Sequence, residues 1–313
     1  MGGKIMPEEK YTMEDTSRIA ASIRKQILGI ALKSGGCYLA QACSSAEIIA
    51  ALYTRILNLG PSAGLWDAIP FPGVPGPDNM DYPRGSAYHG LPAPDKDRFF
   101  VSCCHYASVI YCALAAIGRI SPKALEKFNV DGWNMEMIGA EHSPGFENTA
   151  GSLGQTVSIA AGTAHARKRK GDTGLVYCLM GDGELQEGQT WECVQTAGYY
   201  KLDNFIMVID ANGQQVEGAI EDQMAEEPLE DRFRSFGAAC VTCDGHDIAA
   251  VERACRTEHP GKPLAVICRT KGYTGVPPLK KKWPYLHFVR ISEAEKPEYQ
   301  KIYDEMEGGE LQP

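Results

Sequence analysis

The residues of this chain with the clearest chemical meaning are one carboxylate and one amide, each placed after an apolar run. Asp182 follows the run Leu175–Met180, and Asn212 follows a second run that begins at Phe205. Oxygen ligands of this kind bind hard divalent cations such as Mg²⁺, which in turn bridge to phosphate groups. The two side chains therefore predict a site for a metal ion and a diphosphate, provided that the two runs lie side by side.

The elements that position this pair form a predicted βαβ unit. The runs Leu175–Met180 and Phe205–Ile209 are typical of buried parallel strands, and Gln189–Lys201 between them has the length of a helix. Gly181 and Gly183 allow a sharp turn after the first strand. Such units bind ligands beyond the carboxyl ends of their strands. Free amide groups at the start of the helix that follows the turn favour an anion at the same place.

A Gly-Asp-Gly followed about thirty residues later by an Asn at a strand end resembles the signature of thiamine diphosphate enzymes. The resemblance implies that Asp182, Asn212 and the backbone carbonyl of Gln214 hold Mg²⁺ or another divalent cation such as Ca²⁺. It also implies a thiamine-diphosphate-binding fold, an α/β module of the PP type in which a mostly parallel sheet is flanked by helices. The cofactor-binding residues that it implies in this stretch are Gly181, Asp182, Gly183, Asn212 and Val216.

Other segments are similar to transketolases in particular. Residues 144–155 look like the family's Pro-Gly-Val-Glu-x-x-x-Gly-Ser-Leu-Gly-Gln, which implies that Gly151, Ser152 and Leu153 touch the aminopyrimidine side of the cofactor. The segment that ends at His105 is similar to the Leu-Ser-Lys-Gly-His-Ala of split transketolases, whose His contacts the diphosphate and the substrate. The resemblance therefore makes His105 both a cofactor-binding and a catalytic candidate.

Two further catalytic candidates come from the same resemblance. His287 is the one histidine that follows a loop comparable to the family's Lys-Thr-x-x-Gly-x-Gly, which leads to a His that reaches the diphosphate and substrate. Glu187, expected in the first turn of the helix, and Glu192 match two glutamates that lie at the transketolase subunit interface and connect the two cofactors. For Glu192 the alternative is a solvated helix face. Glu187 also separates this chain from 2-oxo acid dehydrogenase α subunits, which usually carry Gln at that place.

The place where transketolases usually read Ser-Gly-His-Pro-Gly has no His in this chain. Tyr38 and Gln41 are the candidates to replace that substrate-binding His. The departure points to a non-standard ketose donor, of the apulose phosphate or sulfofructose type. His142 is either the histidine of the family's Gly-His-Pro or a plain loop residue. Residues 59–97, rich in Gly, Pro and Asp, are either a substrate lid or a surface excursion.

Charge and composition narrow the expected partners and compartment. A formal net charge of −9 argues against nucleic acid as a partner. No apolar run is long enough to predict a membrane span, and the N-terminus lacks the apolar core of a signal peptide. Only Cys240 and Cys243, of eleven scattered cysteines, have ligand spacing, and they lack the second pair that a zinc site needs. Reduced thiols predict a cytoplasmic location.

The resemblance covers residues 17–290, which we expect to form the thiamine diphosphate domain between a polar tail (1–16) and a C-terminal extension (291–313). It covers only the diphosphate-binding half of a complete transketolase. No residue matches the glutamate with which the other half activates the aminopyrimidine. The resemblance therefore implies a separate C-terminal transketolase subunit that carries the pyrimidine-binding domain, in an α2β2 assembly.

The resulting expectation is an enzyme, the N-terminal subunit of a split transketolase. In that family a carbanion of thiamine diphosphate carries a two-carbon ketol unit from a ketose phosphate or sulfonate to an aldose acceptor. Two alternatives stay open. One is a subunit of a thiamine enzyme related to 2-oxo acid dehydrogenases, against which Glu187 counts, or to deoxyxylulose-phosphate synthase, against which the short chain counts. The other is a non-catalytic scaffold with a vestigial cofactor site.

Overall fold

A five-stranded parallel sheet carries the predicted site. The structure, a computed structural model, describes residues 11–80, 82–224 and 227–306. The strands in these residues are β1 (Gly36–Cys37), β2 (Arg98–Val101), β3 (Val176–Gly181), β4 (Phe205–Ala211), β5 (Gln214–Gln215), β6 (Gly218–Ala219), β7 (Ala239–Asp244), β8 (Leu264–Arg269) and β9 (Val289–Arg290). The large sheet has the order β2-β3-β4-β8-β7, and each neighbouring pair in it is parallel.

Helices cover both faces of this sheet. They are α1 (Met13–Ser34), α2 (Leu39–Ala51), α3 (Ala107–Ala116), α4 (Thr156–Lys170), α5 (Gly188–Tyr199), α6 (Ile220–Gln223), α7 (Leu229–Ser235), α8 (Ile248–Cys255) and α9 (Lys296–Glu305). In the part of the chain that is described, none of them is long and apolar enough to span a membrane. The expected fold class, a mostly parallel sheet flanked by helices, is confirmed.

The core forms two apolar clusters because successive strand residues point to opposite faces of the sheet. Leu179 and Val208 pack with side chains of α1, α2, α3 and α8. Cys178 and Met207, one position earlier on the same strands, pack with α4, α5 and α7 on the other face. Burial of each large apolar side chain contributes about 1.5–3 kcal/mol. Since both faces are covered, the central strands read as the continuous apolar runs seen in the sequence.

The βαβ unit that was predicted around the site is confirmed, with small changes at its ends. The two strands extend one and two residues further than expected, to Gly181 and Ala211. Helix α5, Gly188–Tyr199, lies close to the expected range 189–201. It is preceded by a separate 3₁₀ turn, Gly183–Gln186, so it does not start directly after Asp182. The turn after the first strand is therefore followed by a short helical turn and a bend before α5 starts.

The two ends of the described chain pack together. Helix α1 begins at Met13 and is capped by Thr12, so residues 13–16, expected in the polar tail, are helical. Helix α9, within the expected C-terminal extension, contacts α1 and buries Tyr299. The Lys25 ammonium group donates a hydrogen bond to the Met306 carbonyl at 2.9 Å. The domain boundaries near residues 17 and 290 stay predictions.

The Gly- and Pro-rich segment 59–97 lies against the rest of the molecule. The backbone N–H of Ile69 donates to the Asn134 side chain at 3.0 Å, and Arg119 donates to the Tyr88 carbonyl at 2.5 Å. His89, fully enclosed, shares a hydrogen bond of 2.9 Å with the Tyr53 hydroxyl. These contacts hold the described part of the segment in place, and its role as a lid or a surface excursion stays untested.

Candidate active site

The carboxylate of Asp182 joins the turns that follow the two central strands. Gly181 at the end of β3 is the register partner of Asp210 on β4, so both strands end at the same edge of the sheet. Asp182 is buried, and its carboxylate accepts hydrogen bonds from the backbone N–H of Gly183 at 3.0 Å and of Gly213 at 2.6 Å. The strand ends therefore place the carboxylate of Asp182 beside the turn at Asn212, as expected from the sequence.

The side chain of Asn212 is oriented by a buried network. Its Nδ2 donates to Asp210 and to the Tyr106 hydroxyl, both at 3.3 Å. Asp210 is completely buried and also accepts hydrogen bonds from Ser44 at 2.6 Å, Tyr106 at 2.7 Å and the Thr270 hydroxyl. Asp210 and the Tyr106 hydroxyl accept from the amide nitrogen and so fix its position. The Oδ1 oxygen, which accepts from the Gln214 backbone N–H at 3.1 Å, is therefore the end that a cation can use.

Asp182 and Asn212 line one cavity of about 370 Å³. The same wall carries Lys271, Thr270 and Arg269, of which Arg269 is ion-paired with Glu227, a further residue of the wall. Oxygen donors suit a divalent cation, and the ammonium group of Lys271 suits an anion. The chemistry of the donor set thus fits a metal ion bound to a diphosphate. Val216, the predicted apolar contact of the cofactor, is 61% exposed.

Glu184 is a site residue that the sequence pattern did not single out. Its carboxylate is buried, and it accepts hydrogen bonds from the Ser102 hydroxyl at 2.5 Å, from Gly154 N at 3.0 Å and from Gly181 N at 3.1 Å. It therefore ties the end of β2, the predicted aminopyrimidine loop and the end of β3 together. Burial raises the pKa of Glu184 to about 7, against the lowering effect of these donors.

We expect Glu184 to make stability depend on pH. The folded protein holds this proton more tightly than the unfolded chain, in which the pKa is near 4.5. The contribution of Glu184 to stability is thus complete below about pH 4.5 and is lost as the pH rises through about 7. Between about pH 5 and pH 8 the free energy of unfolding of the wild type should fall by ~3 kcal/mol more than that of Glu184→Gln. Urea titrations without added metal or cofactor measure this, and parallel curves for the two proteins would contradict it.

Three rings meet beside the buried network. The ring centroids of Tyr38 and His105, and of Tyr38 and His287, are 5.4 Å apart, and those of the two histidines are 5.0 Å apart. Burial, with a smaller effect of His287, lowers the pKa of His105 to about 3, and burial also lowers the pKa of His287. Both imidazoles are therefore neutral at neutral pH. Segments that lie far apart in the sequence thus form one aromatic cluster.

Gln41 and Tyr38, the two candidates for the missing histidine, lie in different environments. Gln41 is buried, and its side chain donates to the His287 carbonyl at 3.0 Å, which fixes the backbone of that residue. Tyr38 places its ring against both histidines, and no hydrogen bond to its hydroxyl occurs within the described ranges. Gln41 Oε1 is buried without a hydrogen-bond partner among the described residues, whereas Tyr38 is only half-buried and its hydroxyl is available to a ligand.

Tyr38, His105 and His287 are not among the residues that line the cavity, and the other predicted residues Glu187 and 151–153 also lie outside its wall. Glu187 was expected in the first turn of a helix that starts directly after Asp182. That expectation is wrong, because Glu187 follows the 3₁₀ turn, serves as the N-cap of α5 and is exposed. Gly151 and Ser152 are exposed and Leu153 is half-buried. These positions lie at the surface of the chain.

His142 belongs to a separate loop contact. Its imidazole hydrogen-bonds the Glu136 carboxylate, which also accepts from the Ser143 hydroxyl at 2.5 Å. The ring of His142 lies 4.9 Å from that of Phe71, between centroids. The structure thus engages His142 in holding two loop segments together.

The parallel sheet, with a carboxylate and an amide at adjacent strand ends beside a cavity, defines an α/β protein with a candidate cofactor site at one edge of the sheet. The family of transketolase thiamine diphosphate binding domains matches residues 91–295. The chain belongs to this family, and the thiamine diphosphate binding domain is the part of a transketolase that it contains.

Three transketolase relatives are similar to this chain over most of their own length. A putative transketolase family protein of Sinorhizobium fredii is 35% identical over 91% of this chain and 94% of its own length. One of the subunits of an apulose-4-phosphate transketolase, from Actinobacillus succinogenes, is 31% identical over 84% of this chain and 87% of its own. One of the subunits of a 6-deoxy-6-sulfo-D-fructose transketolase, from a Clostridium species, is 30% identical, with 85% and 86% covered.

A solved structure shows the same fold in a longer protein. The transketolase of Campylobacter jejuni superposes with a TM-score of 0.76 at 23% identity. The match covers 96% of this chain but 44% of that transketolase, so this chain spans less than half of its length. The fold of the matched part is therefore that of one portion of a complete transketolase.

Proposed function

We propose that this chain is the cofactor-binding subunit of a split transketolase, which moves a two-carbon ketol unit from a ketose to an aldose. The observation that carries the proposal is the placement of Asp182 and Asn212 at neighbouring strand ends in one cavity. The relatives named as separate transketolase subunits, which have nearly the length of this chain, support it.

Asp182, Asn212 and the Gln214 carbonyl are the proposed ligands of Mg²⁺ or a similar divalent cation. Gly181 and Gly183 frame the turn at which the diphosphate would bind. Thiamine diphosphate supplies the carbon centre that accepts and releases the two-carbon unit. The protein groups contribute position and charge: Asp182 brings a negative charge to the cation, and Asn212 is held in one orientation by Asp210.

We propose that Tyr38, His105 and His287 contact the substrate. Both imidazoles are neutral, so they can accept or donate hydrogen bonds to sugar hydroxyl groups without repelling each other. Tyr38 adds a hydroxyl group in the place of the family's usual histidine. Two relatives are named for apulose 4-phosphate and for a sulfofructose, and a ketose with a terminal phosphate or sulfonate is accordingly the donor class that we propose.

Replacing Tyr38 with phenylalanine is expected to impair the sugar reaction and leave the cofactor site intact. The ring contacts with both histidines stay, while one hydrogen-bonding group is lost, so kcat/KM should fall by roughly 10- to 100-fold. Steady-state kinetics with saturating cofactor measure this. The matched control is Tyr199→Phe, at a tyrosine that is 78% exposed on α5, and it should behave as the wild type. Equal kinetics for both variants would remove Tyr38 from the substrate site.

The rest of the enzyme is proposed to come from a partner. A C-terminal transketolase subunit with the pyrimidine-binding domain would complete the site, in an α2β2 assembly in which Glu187 and Glu192 lie between subunits. Both glutamates are exposed in this chain. The loop of Gly151, Ser152 and Leu153 leads to Gly154, which lies against Glu187, since a Cβ on Gly154 would be 2.8 Å from Glu187 Cβ. All eleven cysteines are free, which supports a cytoplasmic location.

The direct test is reconstitution. The chain is produced together with a separately encoded pyrimidine-binding subunit, and the complex is supplied with thiamine diphosphate and Mg²⁺. A ketose phosphate or ketose sulfonate and an aldose acceptor are then incubated with it, and products are followed by mass. An aldose product two carbons shorter than the donor is expected. Cofactor binding without any such transfer would favour a scaffold with a vestigial site instead.

A further inference from the structure

Two free cysteines face each other on neighbouring strands at the edge of the sheet. Cys243 on β7 and Cys268 on β8 are register partners in a parallel pair, and their Sγ atoms are 3.8 Å apart. Neighbouring strands lie about 4.8 Å apart. This spacing is within the Cα separation that a disulfide bond spans, about 4.4–6.8 Å. The pair is thus close to bonding distance without being bonded.

The two sulfurs differ in their access to solvent. Cys268 is completely buried, whereas Cys243 is partly exposed. The hydrogen bond between the two thiols lowers the pKa of Cys243, while the same contact and burial raise the pKa of Cys268. Cys243 is therefore the sulfur that meets an oxidant, and Cys268 is the protected partner behind it. This is the arrangement of an attacking and a resolving cysteine.

We propose that Cys243 and Cys268 form a reversible disulfide bond that weakens cofactor binding. The oxidant is of the peroxide class. The Cys243 thiolate attacks the O–O bond, becomes a sulfenic acid, and one oxygen leaves as water. Cys268 sulfur then attacks Cys243 sulfur, an S–S bond forms, and the sulfenic oxygen leaves as a second water with the Cys268 proton. The two thiols lose two electrons and two protons, and one peroxide becomes two waters.

Bond formation changes the packing next to the cofactor cavity. The two sulfurs must approach each other from 3.8 Å to about 2.05 Å. The turn after Cys243 packs tightly against both the cavity wall and Cys268, since a Cβ on Gly245 would lie 2.4 Å from the Thr270 side chain and 3.0 Å from Cys268 Cβ. Gly245 N also donates to the Arg269 carbonyl at 2.9 Å.

The residues that follow Cys268 form part of the cavity wall. Arg269 and Thr270 line the cavity, and the Thr270 hydroxyl donates to the buried Asp210 that orients Asn212. His246, three residues after Cys243, accepts a hydrogen bond from Lys271 N at 2.9 Å. Within the described residues, strand β7 pairs with a neighbour on one side only, so this edge of the sheet is the side that moves most easily. Oxidation of Cys243 and Cys268 is thereby coupled to Asn212, a proposed metal ligand.

The test uses the complex of this chain with its partner subunit, treated with hydrogen peroxide and then with a thiol reductant. Peptide mapping by mass spectrometry should find Cys243 linked to Cys268. The dissociation constant for thiamine diphosphate with Mg²⁺ should rise by about tenfold and return after reduction. The mapping does not depend on transferase activity, so its outcome is separate from that of the proposed function.

Three variants decide the assignment. Cys243→Ser and Cys268→Ser should keep the same affinity before and after peroxide. Cys240→Ser is the matched control, because Cys240 is the other partly exposed cysteine of the same strand, and it should respond as the wild type does. Should either serine variant fail to fold, the wild-type peptide map still decides. The proposal would be overturned if peptide mapping found no link between Cys243 and Cys268. It would also be overturned if peroxide weakened the cofactor binding of Cys243→Ser as much as that of the wild type.

Discussion

Cofactor binding should be lost when Asp182 is replaced with alanine. The substitution removes the carboxylate that the proposed cation needs at the strand ends. It also removes the acceptor for Gly183 N and Gly213 N, which shape the two turns. We expect the dissociation constant of thiamine diphosphate with Mg²⁺ to rise by about 100-fold or more, or ~2.7 kcal/mol, and activity of the complex to fall in parallel.

Isothermal titration calorimetry on the assembled enzyme measures this effect. Asp182→Asn removes the charge but keeps one of the two acceptor oxygens, since Oδ1 accepts from Gly183 N and Oδ2 accepts from Gly213 N. It should lose most of the metal dependence as well. Glu221→Gln is the control, an acidic residue of the same cavity wall that we assign no role in metal binding. If Asp182→Ala binds the cofactor within a few-fold of the wild type, the assigned metal site is wrong.

The fold around the site could be predicted because parallel strands that are covered on both faces leave a simple pattern. Residues 175–180 and 205–209 are recognisable as strands from unbroken apolar runs, and they are the centre of the sheet. The approach of Asp182 to the turn at Asn212 follows from the rule that consecutive parallel strands end at one edge. The apolar runs are sufficient to predict these strands, since burial on both faces of the sheet determines which residue types each strand carries.

The sequence pattern misleads where a polar side chain has a distant partner. Ser44, Ser45 and Glu47 suggest a capping box, yet α2 begins at Leu39 and all three residues lie inside it. Ser44 bonds instead to Asp210, 166 positions away. Glu184 belongs to no pattern in the sequence. In the structure it is buried, and its carboxylate accepts hydrogen bonds from the segments at Ser102, Gly154 and Gly181. No spacing rule identifies such contacts, because they exist only after the chain has folded.

The cluster of Tyr38, His105 and His287 is a second case in which the sequence does not show which side chains meet. His105 and His287 are each proposed from a resemblance, and Tyr38 from a departure from it. Their convergence within about 5.4 Å follows from the packing of three separate segments, which the sequence alone does not contain. Whether the cluster binds sugar is still a prediction, which the Tyr38 variant tests.

Asp210 is expected to be the most important polar residue for stability near the site. Its carboxylate is completely buried and accepts hydrogen bonds from Ser44, Tyr106, Thr270 and Asn212. Asp210→Ala leaves the Tyr106 and Thr270 hydroxyl groups without this acceptor, whereas Ser44 keeps the Gln41 carbonyl and Asn212 keeps the Tyr106 hydroxyl as acceptors. Each unsatisfied buried group costs about 1–3 kcal/mol, so we expect a loss of roughly 3–5 kcal/mol in the free energy of unfolding.

Such a loss corresponds to a fall in Tm of about 5–8 °C for a chain of this size, measurable by differential scanning calorimetry. The matched control is Asp203→Ala, which breaks a half-exposed ion pair with Lys168, an interaction worth about 1 kcal/mol or less. Because Asp210 also orients Asn212, its variant should bind cofactor more weakly even at temperatures where it is folded, whereas the Asp203 variant should not. Equal Tm values for the two variants would mean that the Tyr106 and Thr270 hydroxyl groups find other acceptors, and the buried network would then not be what fixes the amide of Asn212.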